Sequence, residues 1–330
     1  MSHLLYEKII QTGTVNEPNG KPDPQFALPA TINWMHALRF ICDNYSASFS
    51  GARKTYLQKG CGPRKPSDLE VNSILEQLFL SLNHLSAISA LKTVSTPADT
   101  ARLGILGWYY GTYNLGSAMI CARDGSLQET HEGTARQWHS QIVCNDLSLP
   151  PFNTNVPSLL KKDTEQLLKN EPNYGAGTLK IKPQTLNEAE GALLEYISGT
   201  SNWYRRKKED EIKRSKEFKC LGKPDFRSKA ARELRDSHLR KRPIGFLHQA
   251  FRFRGKANYR EALFLSYGAS TNTLLQDFAS DLEAVLAAFI AMGGAFCSIS
   301  LGKVEWNNFI EDIQKHAAFS KPVTEVWASV

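Results

Sequence analysis

Residues 284–302, AVLAAFIAMGGAFCSISLG, run for 19 positions without a charged side chain. A helix of that length and composition belongs either in the middle of a protein or in the middle of a bilayer. Its Ala, Gly and Ser content lowers its hydropathy, and no second run like it occurs in the chain. The expectation is therefore a buried helix, with a membrane span as the alternative. A helix that is apolar on every side needs neighbours on every side. Residues 102–123, RLGILGWYYGTYNLGSAMICAR, are again apolar nearly all round, and Gly104, Gly107, Gly111 and Gly116 permit close helix approach. This reads as a central core helix, with Tyr109, Tyr110, Leu115 and Met119 buried.

The rest of the chain reads as helices and loops, so the fold class expected is mainly α. Residues 1–30 are polar and rich in Pro, Asn and Gly, an arm or extended lead-in. Residues 31–49 have helical spacing, and 53–67 form a basic loop. Ser67 or Asp68 then caps a helix whose stripe runs Leu69, Ile74, Leu78, Leu82, Leu85, Ile88. His84 lies in that stripe and reads as a packing residue. Residues 135–143 form a second helix after the long apolar one. Residues 145–187 are irregular and proline-rich, with a short strand expected at 178–181. Helices are expected at 186–198, at 204–219 and, amphipathic, at 306–319.

The formal net charge of +7 hides a strong asymmetry. Residues 203–260 hold 20 Lys/Arg against 7 Asp/Glu, so the other residues together are negative. Positive charge gathered in one region favours a polyanionic partner over simple solubility. The backbone-contacting candidates are Arg205, Arg206, Lys207, Lys208, Arg214, Arg252, Arg254, Lys256 and Arg260. The last four crowd around Asn258 and Tyr259, beside an apolar segment, 262–267, that fixes them.

Several chemistries are excluded or weakly supported. The six cysteines are scattered with no CxxC pair, which argues against a disulfide framework or zinc ribbon. His131-Glu132 lacks the HExxH spacing, so neither metal nor other cofactor is expected. GAGT at 175–178 is not followed by the GK[ST] of a phosphate loop, and no nucleophile elbow is present. Pro224-Asp225 followed by Glu233-Leu234-Arg235 puts Arg where a PD-(D/E)xK nuclease needs Lys. The first ten residues lack a secretory pattern, and a reducing cytoplasm fits the cysteines. Arg232–His238 and Arg242–His248 are the spacings that could serve metal-free RNA cleavage, with His moving a proton and Arg stabilising the phosphate. Of these, Arg242 and His248 are the stronger candidates.

LGWYYGTYNLGSAMI at 106–120 and ETHEGTARQWHSQI at 129–142 resemble the higher-eukaryote-and-prokaryote nucleotide-binding (HEPN) superfamily. The likeness is to a branch with a Tyr-Tyr first helix, a Ser/Thr-His dipeptide (Thr130-His131), a later Arg followed by Ala-Asn-Tyr (Arg254 and 257–259), and a closing Ala/Phe-rich helix, 282–296. It covers about half of the chain. The resemblance implies an up-and-down helical bundle, commonly dimeric, with a large basic insertion. It divides the chain into an N-terminal arm and helix (1–66), a first bundle half (67–144), an insertion (145–240), a second bundle half (241–302) and a C-terminal helix and tail (303–330). It also implies a nucleic-acid-binding component of a bacterial defence or toxin–antitoxin system. A metal-independent RNase leaving 2′,3′-cyclic phosphate is one alternative, and a scaffold for an acidic protein partner is another. Many members use Arg, four to six residues, then His. Aligned on Arg254, the His position falls on Tyr259, whose phenol is a poor base at neutral pH. Arg254 and Tyr259 join Arg242 and His248 as the candidate catalytic set.

Overall fold

The computed structural model describes residues 4–5, 24–45, 47–258, 260–268 and 270–330, with the side chains at 24–27, 260 and 261 left aside. Most of the expected N-terminal arm and Tyr259 therefore lie outside the described residues. The helices are α1 (Pro24–Asn44), α2 (Phe49–Gln58), α3 (Asp68–Leu91), α4 (Pro97–Asp124), α5 (His131–Gln137), α6 (Lys161–Lys169), α7 (Leu186–Arg214), α8 (Lys216–Cys220), α9 (Lys229–Arg240), α10 (Phe246–Asn258), α11 (Thr271–Leu274), α12 (Phe278–Leu301) and α13 (Lys303–His316). Among the described residues there is no strand, only an isolated bridge between Val156 and Ile244. The chain is mainly α.

The uncharged stretch is the body of α12, which packs against α4, α3, α1 and α2. By length and composition, α3 and the segment Thr271–Leu301 are apolar enough to cross a membrane; the most apolar window of the latter is 83% buried within the protein. Helix α4 takes the other central position, buried at Trp108, Tyr109, Leu115 and Met119. The two helices approach closely where side chains are absent. A Cβ on Gly111 would lie 2.8 Å from Leu286 Cδ2, and one on Gly293 would lie 2.6 Å from Leu115 Cδ2.

Aromatic side chains join the segments around this pair. Trp34 of α1 stacks on Tyr196 of α7 at 4.1 Å and meets Trp108 of α4 at 5.8 Å and Phe253 of α10 at 4.8 Å. The first half of α7 is thus part of the main core, although it falls in the expected insertion. Two smaller clusters lie outside it: Val156, Leu159, Leu168, Ile197, Leu239 and Ile244, then Ile212, Phe218 and Ala231. The C-terminal tail is pinned back by Trp327, whose indole N–H donates to Ile290 O at 2.9 Å.

Several local expectations change. Helix α1 begins at Pro24, inside the presumed lead-in, and Arg53 and Lys54 lie on α2 rather than in a loop. Residues 178–181 form a turn, not a strand. Leu179 N–H donates to Glu195 Oε2 at 2.7 Å and its carbonyl accepts from Asn33 Nδ2 at 3.0 Å, so side chains replace a ladder. The two helices expected between 186 and 219 are one helix as far as Arg214. Thr200 and Ser201, which lie in the gap between the two expected helices, return their hydroxyls to Tyr196 O and Ile197 O. The helix expected at 135–143 starts at His131 and widens into a π-helical turn at Trp138–Val143. Tyr110, expected to be buried, is 38% exposed.

Candidate nucleic-acid interface

Three distant segments meet at one half-exposed place. On α4, Tyr109 and Tyr113 are four residues apart and share a face, with Tyr110 beside them. Thr130 caps α5, accepting from Gly133 N–H at 3.1 Å, which sets His131 at the first helical position. On α10, Phe251 and Arg254 are three apart and face the same way.

His131 is the junction. Its Nδ1 lies 2.8 Å from Tyr109 Oη, and its Nε2 lies 3.2 Å from Arg254 Nη1. A guanidinium only donates, so Nε2 accepts; in the neutral ring the proton then sits on Nδ1, donated to the tyrosine oxygen. Tyr113 closes the other side at 4.6 Å between ring centroids. The Arg254 guanidinium lies over Tyr109 at 4.8 Å and Phe251 at 4.7 Å. Such stacking holds the cation in one orientation. Its Nε is buried with no acceptor among the described residues.

The electrostatics follow from this packing. Burial, then the Arg254 charge, lowers His131 below the usual histidine range, favouring the neutral imidazole. Burial raises the Tyr109 phenol well above its ordinary value, against the pull of Arg254. The site therefore presents a fixed cation beside a neutral imidazole at pH 7.

Beside it runs a basic cleft formed by α5, the middle of α7 and the turn before α10. Glu132, Arg136, Tyr204, Lys207, Lys208, Glu211, Arg242 and His248 line it. Arg242 donates to Glu132 at 2.9 Å and Lys208 to Glu211 at 2.9 Å. Arg242 and His248 both line this cleft. His248 is nevertheless only 4% exposed, its Nδ1 accepts from Gly245 N–H at 3.2 Å, and burial pushes it down to about 3. A ring in that state has no free lone pair at Nδ1 and is a poor proton acceptor, which argues against the general-base role.

The other expected contacts divide. Arg206, Lys207 and Arg214 are exposed along α7, with Arg205 half-buried just before them and Lys208 half-buried between them. Arg252 turns away from Arg254, lying over Tyr196 at 5.3 Å and donating to Thr200 Oγ1 at 3.1 Å. Residues two apart on a helix point to nearly opposite sides, so Arg252 and Arg254 cannot act as one clamp. Lys256 is half-buried and already has an interaction partner. The Arg260 side chain, like Tyr259, lies outside the described residues.

His131, Tyr109 and Glu132 are the participants that residue chemistry alone did not put forward. Thr130 as an N-cap was a visible signal for where His131 sits. Nothing local could bring Arg254 to it, 123 residues further on. Comparison with family models, curated proteins and solved structures returns no match.

Proposed function

We propose that this protein is an HEPN-like nucleic-acid-binding component of a bacterial defence or toxin–antitoxin system, gripping the phosphate backbone through α7 and Arg254. The observation that carries the reading is the meeting of Tyr109, His131 and Arg254. These residues come from three of the four segments on which the resemblance rests, and they form a cation fixed at a half-exposed surface. A guanidinium held by stacking at a half-exposed surface is suited to a phosphate oxygen, and the exposed cations of α7 supply diffuse attraction around it. Tyr110, exposed next to the cluster, offers a face on which a base can stack.

The His131–Arg254 pair favours a second reading, metal-independent RNA cleavage. When Arg254 engages a phosphate, Nε2 of His131 is released to take the proton of the ribose 2′-OH as that oxygen bonds to phosphorus; the bond to the 5′-oxygen breaks and that oxygen leaves with a proton, while the guanidinium stabilises the charge on the phosphoryl oxygens. The neutral state of His131 at pH 7 suits this role. Arg254 is then catalytic through His131 rather than through Tyr259 or His248.

The test is a metal-free incubation with a mixed RNA pool, alongside an equilibrium binding assay. Binding weakened in Arg254→Gln, with no cleavage, supports the binding reading. Cleavage to 2′,3′-cyclic ends, abolished in both His131→Gln and Arg254→Gln but not in His248→Gln, establishes the RNase reading. No RNA or DNA binding at low salt, with capture of an acidic protein instead, would leave the scaffold reading in their place.

A further inference from the structure

The cleft beside His131 holds more positive charge than its own carboxylates neutralise. Arg136, Lys207, Lys208 and Arg242 face Glu132 and Glu211, a surplus of two positive charges. Lys208 and Arg242 are paired with Glu211 and Glu132. Arg136 and Lys207 form no ion pair within 4 Å among the described residues, although the Lys207 charge also acts on Glu211; Lys207 lies 5.8 Å from the Trp203 ring centroid. The two pairs keep those cations in place while the other two remain available.

His248 supplies an independent observation. It lines the same cleft, is 4% exposed, and packs edge-on against Tyr204 at 5.4 Å. Because Nδ1 accepts from Gly245 N–H, the proton of the neutral ring is on Nε2. That N–H has no acceptor among the described residues. Nε2 is not one of the fully enclosed polar atoms, so whatever occupies the cleft can accept from it. A neutral donor below a rim of cations is an arrangement for an anion, not for a metal ion or an apolar group.

The charge selects the anion. An internal phosphodiester carries one negative charge, whereas a phosphomonoester carries close to two at neutral pH. We infer that this cleft binds a terminal phosphomonoester, with Arg136 and Lys207 on its oxygens and His248 Nε2–H beneath it. The group is supplied either by the end of a nucleic acid strand or by a free nucleotide. In the first form the inference rests on the nucleic-acid reading; in the second it stands without it. Glu132 adjoins His131 in sequence, so a strand held by its end here would pass towards Arg254.

The experiment is calorimetric titration of the full chain with matched probes. These are one RNA oligomer carrying a 5′-phosphate, a 3′-phosphate or only hydroxyl ends, and adenosine 5′-monophosphate against adenosine. The expected result is a phosphorylated member of at least one pair binding about tenfold tighter than its unphosphorylated counterpart, the scale of a charge-assisted contact. In the Arg136→Gln/Lys207→Gln double variant that ratio should fall to about one. Both residues are exposed, so the variant is expected to fold; unchanged helical circular dichroism checks this. A ratio of one for every pair in the unmodified protein, or a ratio that survives the double variant, overturns the inference. Salt-sensitive RNA binding with a ratio of one would sink the cleft while sparing the nucleic-acid reading. Adenosine 5′-monophosphate binding without RNA binding would do the reverse.

Discussion

Substituting Leu115 and Gly293 singly and together tests the packing of the two central helices. Leu115 is fully buried on α4, and a Cβ on Gly293 of α12 would sit 2.6 Å from both its Cγ and its Cδ2. Leu115→Ala removes that side chain and should cost about 3–4 kcal/mol, as buried leucines do. Gly293→Ala drives a methyl into Leu115 and should cost about 1–3 kcal/mol by overpacking, despite the better helix propensity of Ala. Combined, the two changes relieve each other, because the three atoms nearest that Cβ all belong to the removed part of Leu115. The new methyl, filling about 25 Å³ at about 24 cal/mol per Å³, returns about 0.6 kcal/mol. Helix propensity returns about 0.9 kcal/mol more. The double variant should therefore lose only about 2 kcal/mol, less than Leu115→Ala alone. Urea unfolding followed by circular dichroism gives the three midpoints. Losses that simply add would refute the close approach of α4 and α12 at this point.

Three further outcomes are expected. Burial lowers His248 to about 3, so below pH 6.5 the unfolded chain takes up a proton that the folded chain refuses. Its contribution to stability is full above pH 6.5 and is lost as pH falls towards 3, about 2 kcal/mol of it between pH 7 and 5. His248→Gln should show a correspondingly smaller drop in urea midpoint over that interval, and an identical drop would argue against a buried neutral ring. Thr130→Ala removes the cap of α5 and should cost about 1 kcal/mol in thermal unfolding. Through His131 it should also weaken whatever ligand the Arg254 cluster holds, an effect that Thr93→Ala, at the exposed end of α3, should lack.

How much of this was legible depended on whether the information was local. The apolar run at 284–302 and the glycine-spaced run at 102–123 announced α12 and α4, because a helix without a polar face has few alternatives. The Ser67 start of α3 was visible for the same kind of reason: the cap and the stripe after it lie within one stretch. The turn at 178–181 was not, since it depends on Asn33 and Glu195 supplying the hydrogen bonds a strand would otherwise make. Nor was the continuity of α7, where the hydroxyls of Thr200 and Ser201 bond back to their own helix. At the site, Arg254 was marked by its neighbours, but Tyr109 read as plain core. It is core, and its hydroxyl also reaches His131, which only the packing of α4 against α5 and α10 could reveal. His248 illustrates the opposite case: a good spacing from Arg242 said nothing about burial, and burial decides its chemistry.

The most direct test of the central claim is the salt dependence of RNA binding by the full chain and by a charge-reversed form, Lys207→Glu/Lys208→Glu/Arg214→Glu/Lys216→Glu. If Lys207, Lys208, Arg214, Lys216 and Arg254 together neutralise about five phosphates, log affinity should fall with log salt at a slope of about −3.5 for a single strand. The reversed form should bind more weakly at low salt and show a much shallower slope, with its helical circular dichroism unchanged. Affinity independent of salt, or a slope the four reversals leave intact, would contradict the account.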